Sequence, residues 1–129
     1  GCIRTNSKDP SSKRYLTIFN GINELIEKFK PDCLSIETQY VQKNVQSAIK
    51  LGMARGVATV AAAGKDIPVF EYSPTKAKSS VVGNGRASKQ QVQNMTKALL
   101  NLSEIPRPED AADALALAIC HINNSGVPQ

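Results

Sequence analysis

Arg107-Pro-Glu-Asp-Ala-Ala-Asp-Ala-Leu-Ala-Leu-Ala-Ile-Cys-His121 places acid at the mouth of an otherwise apolar helix. Pro106 and Pro108 suit a helix start, because the missing proline N–H costs nothing in a first turn. Asp110 and Asp113 are three residues apart, so both project from one face. Behind them, Ala114 to Ile119 is too apolar for a solvated helix and is expected to pack into a core. Two carboxylates at the rim of a buried helix are placed to hold a hard cation such as Mg²⁺. Acids also favour helix N-termini through the macrodipole, so these residues alone leave both readings open.

Working outward, the elements alternate. Gly1 to Thr5 reads as the tail of a strand, and Asn6 to Ser12 as a loop, with Ser11 or Ser12 capping the helix that follows. Tyr15, Phe19, Ile22, Ile26 and Phe29 recur at helical spacing and predict one buried stripe, which Lys30-Pro-Asp ends. Cys33 to Glu37 predicts a short strand ending in an acid, at the strand end where sites gather in open α/β sheets. Tyr40, in the loop beyond it, is either a core ring or a stacking platform for a base.

Residues 44–63 predict a long helix rich in glycine and alanine. Such a face packs closely, either within one chain or against a second subunit across a two-fold axis. A strand over Ile67 to Tyr72 follows, then a short helix or loop from Ser73, and a glycine-bearing loop over Val81 to Arg86. Ser88 and Gln91 form a capping-box pattern before a helix face of Val92, Met95 and Leu99. Asn101 to Pro108 is a loop, and residues 123–129 read as a flexible tail. Strand, helix, strand, helix, strand, then helices argues an α/β fold in one domain over residues 1–122. Gly1 opens inside a strand and is not a methionine, so the beginning of the fold is expected to be missing.

Composition narrows the partners. From Ser73 to Leu100 there are five cations (Lys76, Lys78, Arg86, Lys89 and Lys97) and no acids, a surplus equal to the +5 of the whole chain. An uncompensated basic stretch is the electrostatic mark of a polyanion, or else a solvated face. Three scattered cysteines with no Cys-x-x-Cys pair suggest neither a disulfide framework nor a zinc site, and a reducing cytosol is the simplest home. No run approaches a membrane span. His121, the one histidine, reads as a helix C-terminal residue and not a ligand or base.

In matching order, Gly1-Cys-Ile-Arg-Thr5, Ser35-Ile-Glu37, Ala48 to Val57, Val69-Phe-Glu-Tyr72, Val81-Val-Gly83 and Asp110-Ala-Ala-Asp-Ala-Leu115 resemble the RuvC family of bacterial Holliday junction resolvases. The resemblance runs to about residue 122. It implies an RNase H-like fold, a five-stranded mixed sheet flanked by helices, of which the first two strands would precede Gly1. It implies a crossover junction endodeoxyribonuclease: a homodimer, joined through the 44–63 helix, that cuts two strands of a four-way DNA junction symmetrically. Glu37, Asp110 and Asp113 match metal ligands for Mg²⁺, with Mn²⁺ able to substitute. Lys78 and Lys89 match lysines facing DNA and the scissile phosphate, and Tyr40 matches an aromatic that stacks on a base. The branch-migration proteins RuvA and RuvB are the implied partners, in the cytoplasm. The family's Asp-Pro-Gly strand, which brings a further metal-binding aspartate, has no counterpart here, since Asp9-Pro10 is followed by Ser11. That departure motivates one alternative, a branched-DNA-binding module that does not cut; an RNase H-like nuclease on another substrate is a further one.

Overall fold

The computed structural model describes residues 1–38 and 44–125. Along the chain run α1 (Ser11–Phe29), β1 (Leu34–Glu37), α2 (Val45–Ala63), β2 (Val69–Tyr72), α3 (Pro74–Val82), α4 (Lys89–Leu99) and α5 (Glu109–Asn124). The two strands form a small sheet. Leu34 donates its N–H to the Pro68 carbonyl and Thr38 donates to that of Tyr72, so the register advances the same way on both strands and the pairing is parallel.

Contacts gather into two units. One holds Gly1–Cys2, Ser35–Thr38 and Glu71–Gln129; the other holds Ile3–Leu34 and Gln39–Phe70. In the first, α3, α4 and α5 pack on one another. Their buried centre is Ala77, Val81, Ala87, Val92, Ala116 and Cys120, with Tyr72, Val82, Leu117 and Ile119 partly buried around it. On α5, Ala112, Ala116 and Cys120 repeat every four residues and are sealed from solvent, while Ala114 and Ala118 on the other side are exposed. The expected apolar helix is therefore one-sided. His121 lies in the last turns of α5, where its Nδ1 is 2.7 Å from the Tyr72 hydroxyl.

In the second unit α1 packs on α2. Ile3 lies over α1, and a side chain at Gly21 would meet it at 2.8 Å. No residue of α1 is fully buried, and α2 buries only Ala61 and Ala62.

Several expectations shift. Gly1 to Thr5 is not a strand, because a strand exists only through the ladder bonds of a neighbour and β1 pairs with β2. Helix α1 is preceded by Pro10 with no side-chain cap, so Ser11 and Ser12 are its first helical residues and not its caps. Phe29 is exposed at the helix end, with the Lys28 ammonium 5.1 Å from its ring centre. Val81 and Val82 complete α3 and are not loop residues. The turn begins at Gly83, whose φ of 79° lets it cap the helix through its N–H to the Ser79 carbonyl. On α4, Met95 and Leu99 face solvent, and Thr96 joins Val92 inside. Thr96 is tolerated there because its hydroxyl donates to the Val92 carbonyl at 2.6 Å.

Candidate functional site

Each site residue is placed by a local rule. Ser35 and Glu37 are two apart on β1 and share a face. The Ser35 hydroxyl donates to the Leu117 carbonyl of α5 at 3.0 Å. Moving two residues along the strand reaches Glu37, and moving one turn back along α5 reaches Asp113. Both steps are of similar length, ~6.6 Å and ~5.4 Å. The acids at 37 and 113 are therefore brought to the same end.

Lysine placement follows from two caps. Ser73 accepts from the Lys76 N–H, with Pro74 at the first helical position, so α3 starts immediately after β2 and carries Lys78 on its second turn. Ser88 and Gln91 close a full capping box, which fixes Lys89 as the first residue of α4. The Gln93 amide donates to the Pro106 carbonyl at 3.2 Å, tying the segment before α5 to α4.

The result is a cleft of ≈ 300 Å³ lined by Glu37, Lys78, Lys89, Asp110 and Asp113, with Pro74, Ala77 and Ala116 among its walls. Lys89 lies 3.5 Å from Glu109, an acid the sequence reading did not single out. Burial in the cleft pushes the Glu37 carboxyl above its ordinary 4.5. The Asp113 charge adds to this, Lys78 opposes it, Asp110 adds, and Lys89 opposes. A carboxylate held up by two like charges gains from any cation that enters between them.

The donor set fits a divalent metal in kind: three carboxylates, all hard oxygen ligands, at one cleft. Among the described residues, though, no group of three His, Cys, Asp or Glu side chains is drawn together so that it could hold a metal ion as it stands. The site offers the ligands without the final convergence.

The five-cation stretch divides. Lys78 and Lys89 reach the cleft, whereas Lys76 lies 5.4 Å from the Tyr72 ring centre and Arg86 is on the exposed turn before α4. Tyr40 lies outside the described residues. Thr38, directly after Glu37, was not anticipated. Its hydroxyl oxygen is buried with no hydrogen-bond partner among the described residues, and no spacing in the sequence marks it.

The family model described as Crossover junction endodeoxyribonuclease RuvC matches residues 1–121. The chain belongs to the RuvC family. A relative of that name from Protochlamydia amoebophila is 62% identical over 121 residues, covering 94% of this chain and 72% of the relative. Another from Chlamydia abortus is 54% identical over 127 residues, covering 97% and 77%. Among solved structures, Thermus thermophilus RuvC superposes with a TM-score of 0.85 at 33% identity, covering 95% of this chain and 74% of that one. The same protein in complex with a Holliday junction substrate gives 0.87 at 34% identity, covering 93% and 73%. The fold is accordingly the RuvC one, α/β and RNase H-like, with two strands of its sheet among the described residues.

Proposed function

We propose that this chain is a metal-dependent endonuclease that resolves four-way DNA junctions in recombination and repair by symmetric phosphodiester hydrolysis. One observation carries the reading: three carboxylates and two lysines, from four separate elements, line a single cleft in a chain of the RuvC family. The relatives' shared name and the T. thermophilus complex with a junction support the substrate.

Glu37, Asp110 and Asp113 would hold Mg²⁺, with Mn²⁺ as a substitute. When bound there, such a cation activates water and steadies the leaving oxygen. Lys89 offsets charge that builds on the scissile phosphate, and Lys78 draws the backbone into the cleft. Until DNA arrives, Glu109 holds Lys89 at the cleft mouth. Tyr40 supplies a ring on which an unpaired base at the crossover stacks.

Two cuts per junction require two sites, hence a homodimer. Helix α2 supplies a surface for it. Val45, Ile49, Met53 and Val60 are 49–63% exposed and, at 3.6 residues per turn, fall within about 80° of one another. Gly56 shares the stripe, and among the described residues nothing beyond its own helix backbone comes within 4 Å of where its Cβ would stand. A mid-helix glycine costs about 1 kcal/mol relative to alanine, so close approach from outside gives it a reason. Branch-migration partners of the RuvA and RuvB kind and a cytoplasmic setting go with this reading. In keeping with it, among the described residues no helix is long and apolar enough to cross a membrane.

The test is a synthetic four-way junction labelled on each strand, incubated with the chain and Mg²⁺. Paired, symmetry-related nicks are expected. Tight binding without nicks would instead select the non-cleaving junction binder, and faster cutting of an RNA–DNA hybrid would select the nuclease on another substrate.

A further inference from the structure

A second cleft, of ≈ 190 Å³, lies between α1 and α2 and has the opposite electrical character. Its polar lining is Arg14 and Lys50, with the hydroxyl residues Thr5, Ser11 and Tyr15, and no acid lines it. Arg14 is half-buried, and its Nε donates to the Thr5 hydroxyl at 3.1 Å, which fixes the guanidinium plane. Among the described residues neither Arg14 nor Lys50 has an acidic partner within ion-pair distance, and the nearby Asp9 is taken by Lys13 at 3.1 Å. A partly buried guanidinium without a counter-charge has lost hydration with only one neutral hydroxyl in exchange. A tetrahedral oxyanion restores the balance: the guanidinium fork suits phosphate geometry, the ammonium adds a second charge, and the hydroxyls donate to the remaining oxygens.

We propose that this cleft is a second phosphate-binding site, separate from the acidic one, and that it grips a backbone phosphate of bound DNA. The DNA part rests on the function proposed above; the phosphate chemistry does not. Phosphate contacts position a duplex without reading its sequence, so the site would act alike on junction and plain duplex.

The experiment measures binding of the full chain to a labelled junction and a labelled duplex without divalent metal, between about 50 and 200 mM salt. Lys50→Gln and Arg14→Gln are compared with the parent; Lys50 is exposed, so its replacement leaves the fold intact even if Arg14→Gln loosens Thr5. Each variant should bind both DNAs severalfold more weakly, with the log–log salt slope shallower by about one. In parallel, inorganic phosphate is titrated against chloride of equal ionic strength while the Arg14 Nε–H resonance is followed. A saturable shift, abolished by Lys50→Gln, is expected. A phosphate-specific shift with unchanged DNA slopes would keep the site and assign it to free phosphate. No phosphate-specific shift together with parental slopes in Lys50→Gln overturns the proposal. A parent that binds neither DNA would defeat the junction reading, while the phosphate titration still decides the cleft.

Discussion

The unit built from α3, α4 and α5 encloses an apolar centre, although Met95, Leu99 and Ile122 stay exposed; the unit built from α1 and α2 buries fully only Ala61 and Ala62 of its helices. Val92, Ala116 and Cys120 are 0–1% exposed, whereas Leu16, Phe29, Val45, Ile49, Met53 and Val60 are 49–66% exposed. Their clefts differ in the same way. The first offers three carboxylates and two lysines, the second two cations and hydroxyls. In the enclosed unit two capped helix starts place the lysines, and β1 and α5 place the acids. The open unit has an exposed apolar stripe and, among the described residues, two cations without an acidic partner, the features on which the proposed assembly and grip rest.

The largest break in this contrast should come from Asp113→Asn. Because even neighbours of metal ligands cost 10–100-fold when lost, removing one of the proposed ligands should slow junction cutting by more than about 100-fold. Junction affinity in the absence of metal should change little, which a gel-shift assay beside the cleavage assay would show. Second in size is Val92→Ala. A cavity at a fully buried position should cost about 2 kcal/mol in urea unfolding, whereas Ile49→Ala should leave protomer stability within about 0.5 kcal/mol. Equal losses would erase the distinction between enclosed and open units. Met53→Lys places a charge in the α2 stripe and, for the dimer proposed above, should shift sedimentation from dimer to monomer without loss of helix content.

A subtler effect concerns Glu37, whose carboxyl is held above 4.5, first by burial and then by Asp113. The folded metal-free chain binds this proton more tightly than the unfolded chain. That contribution to stability is present at low pH and is lost as pH rises from 4.5 through the raised folded value. Cation affinity follows the opposite course, falling as pH drops through that value. Asp113→Asn should move the Glu37 titration down, as followed by the carboxyl carbon resonance. Smallest of all, Glu109→Gln removes the exposed partner of Lys89. It should alter stability by less than about 1 kcal/mol while modestly tightening DNA binding at low salt.

Much of the enclosed unit was legible in the sequence because its signals are local. Ser88 with Gln91 announces the capping box, Pro108 the start of α5, and Glu37 the end of a strand. The assembly of the acids followed from the family pattern, not from spacing, since Glu37 and Asp110 lie far apart in the chain. What escaped reading depends on partners. Met95 and Leu99 are apolar and helical in spacing, yet α4 turns Thr96 inward because its hydroxyl is satisfied by its own helix. Gly1 to Thr5 has strand-like residues but no ladder partner among the described residues. The Lys89–Glu109 contact joins two helix starts twenty residues apart, a distance no periodicity spans.

The turn between α3 and α4 folds back so tightly that a Cβ on Gly85 would stand 2.4 Å from the Thr75 methyl. The two positions therefore constrain each other. A side chain at 85 would force the Thr75 methyl aside and would still press on the Thr75 carbonyl at 3.3 Å, so a change at 85 is felt at the start of α3.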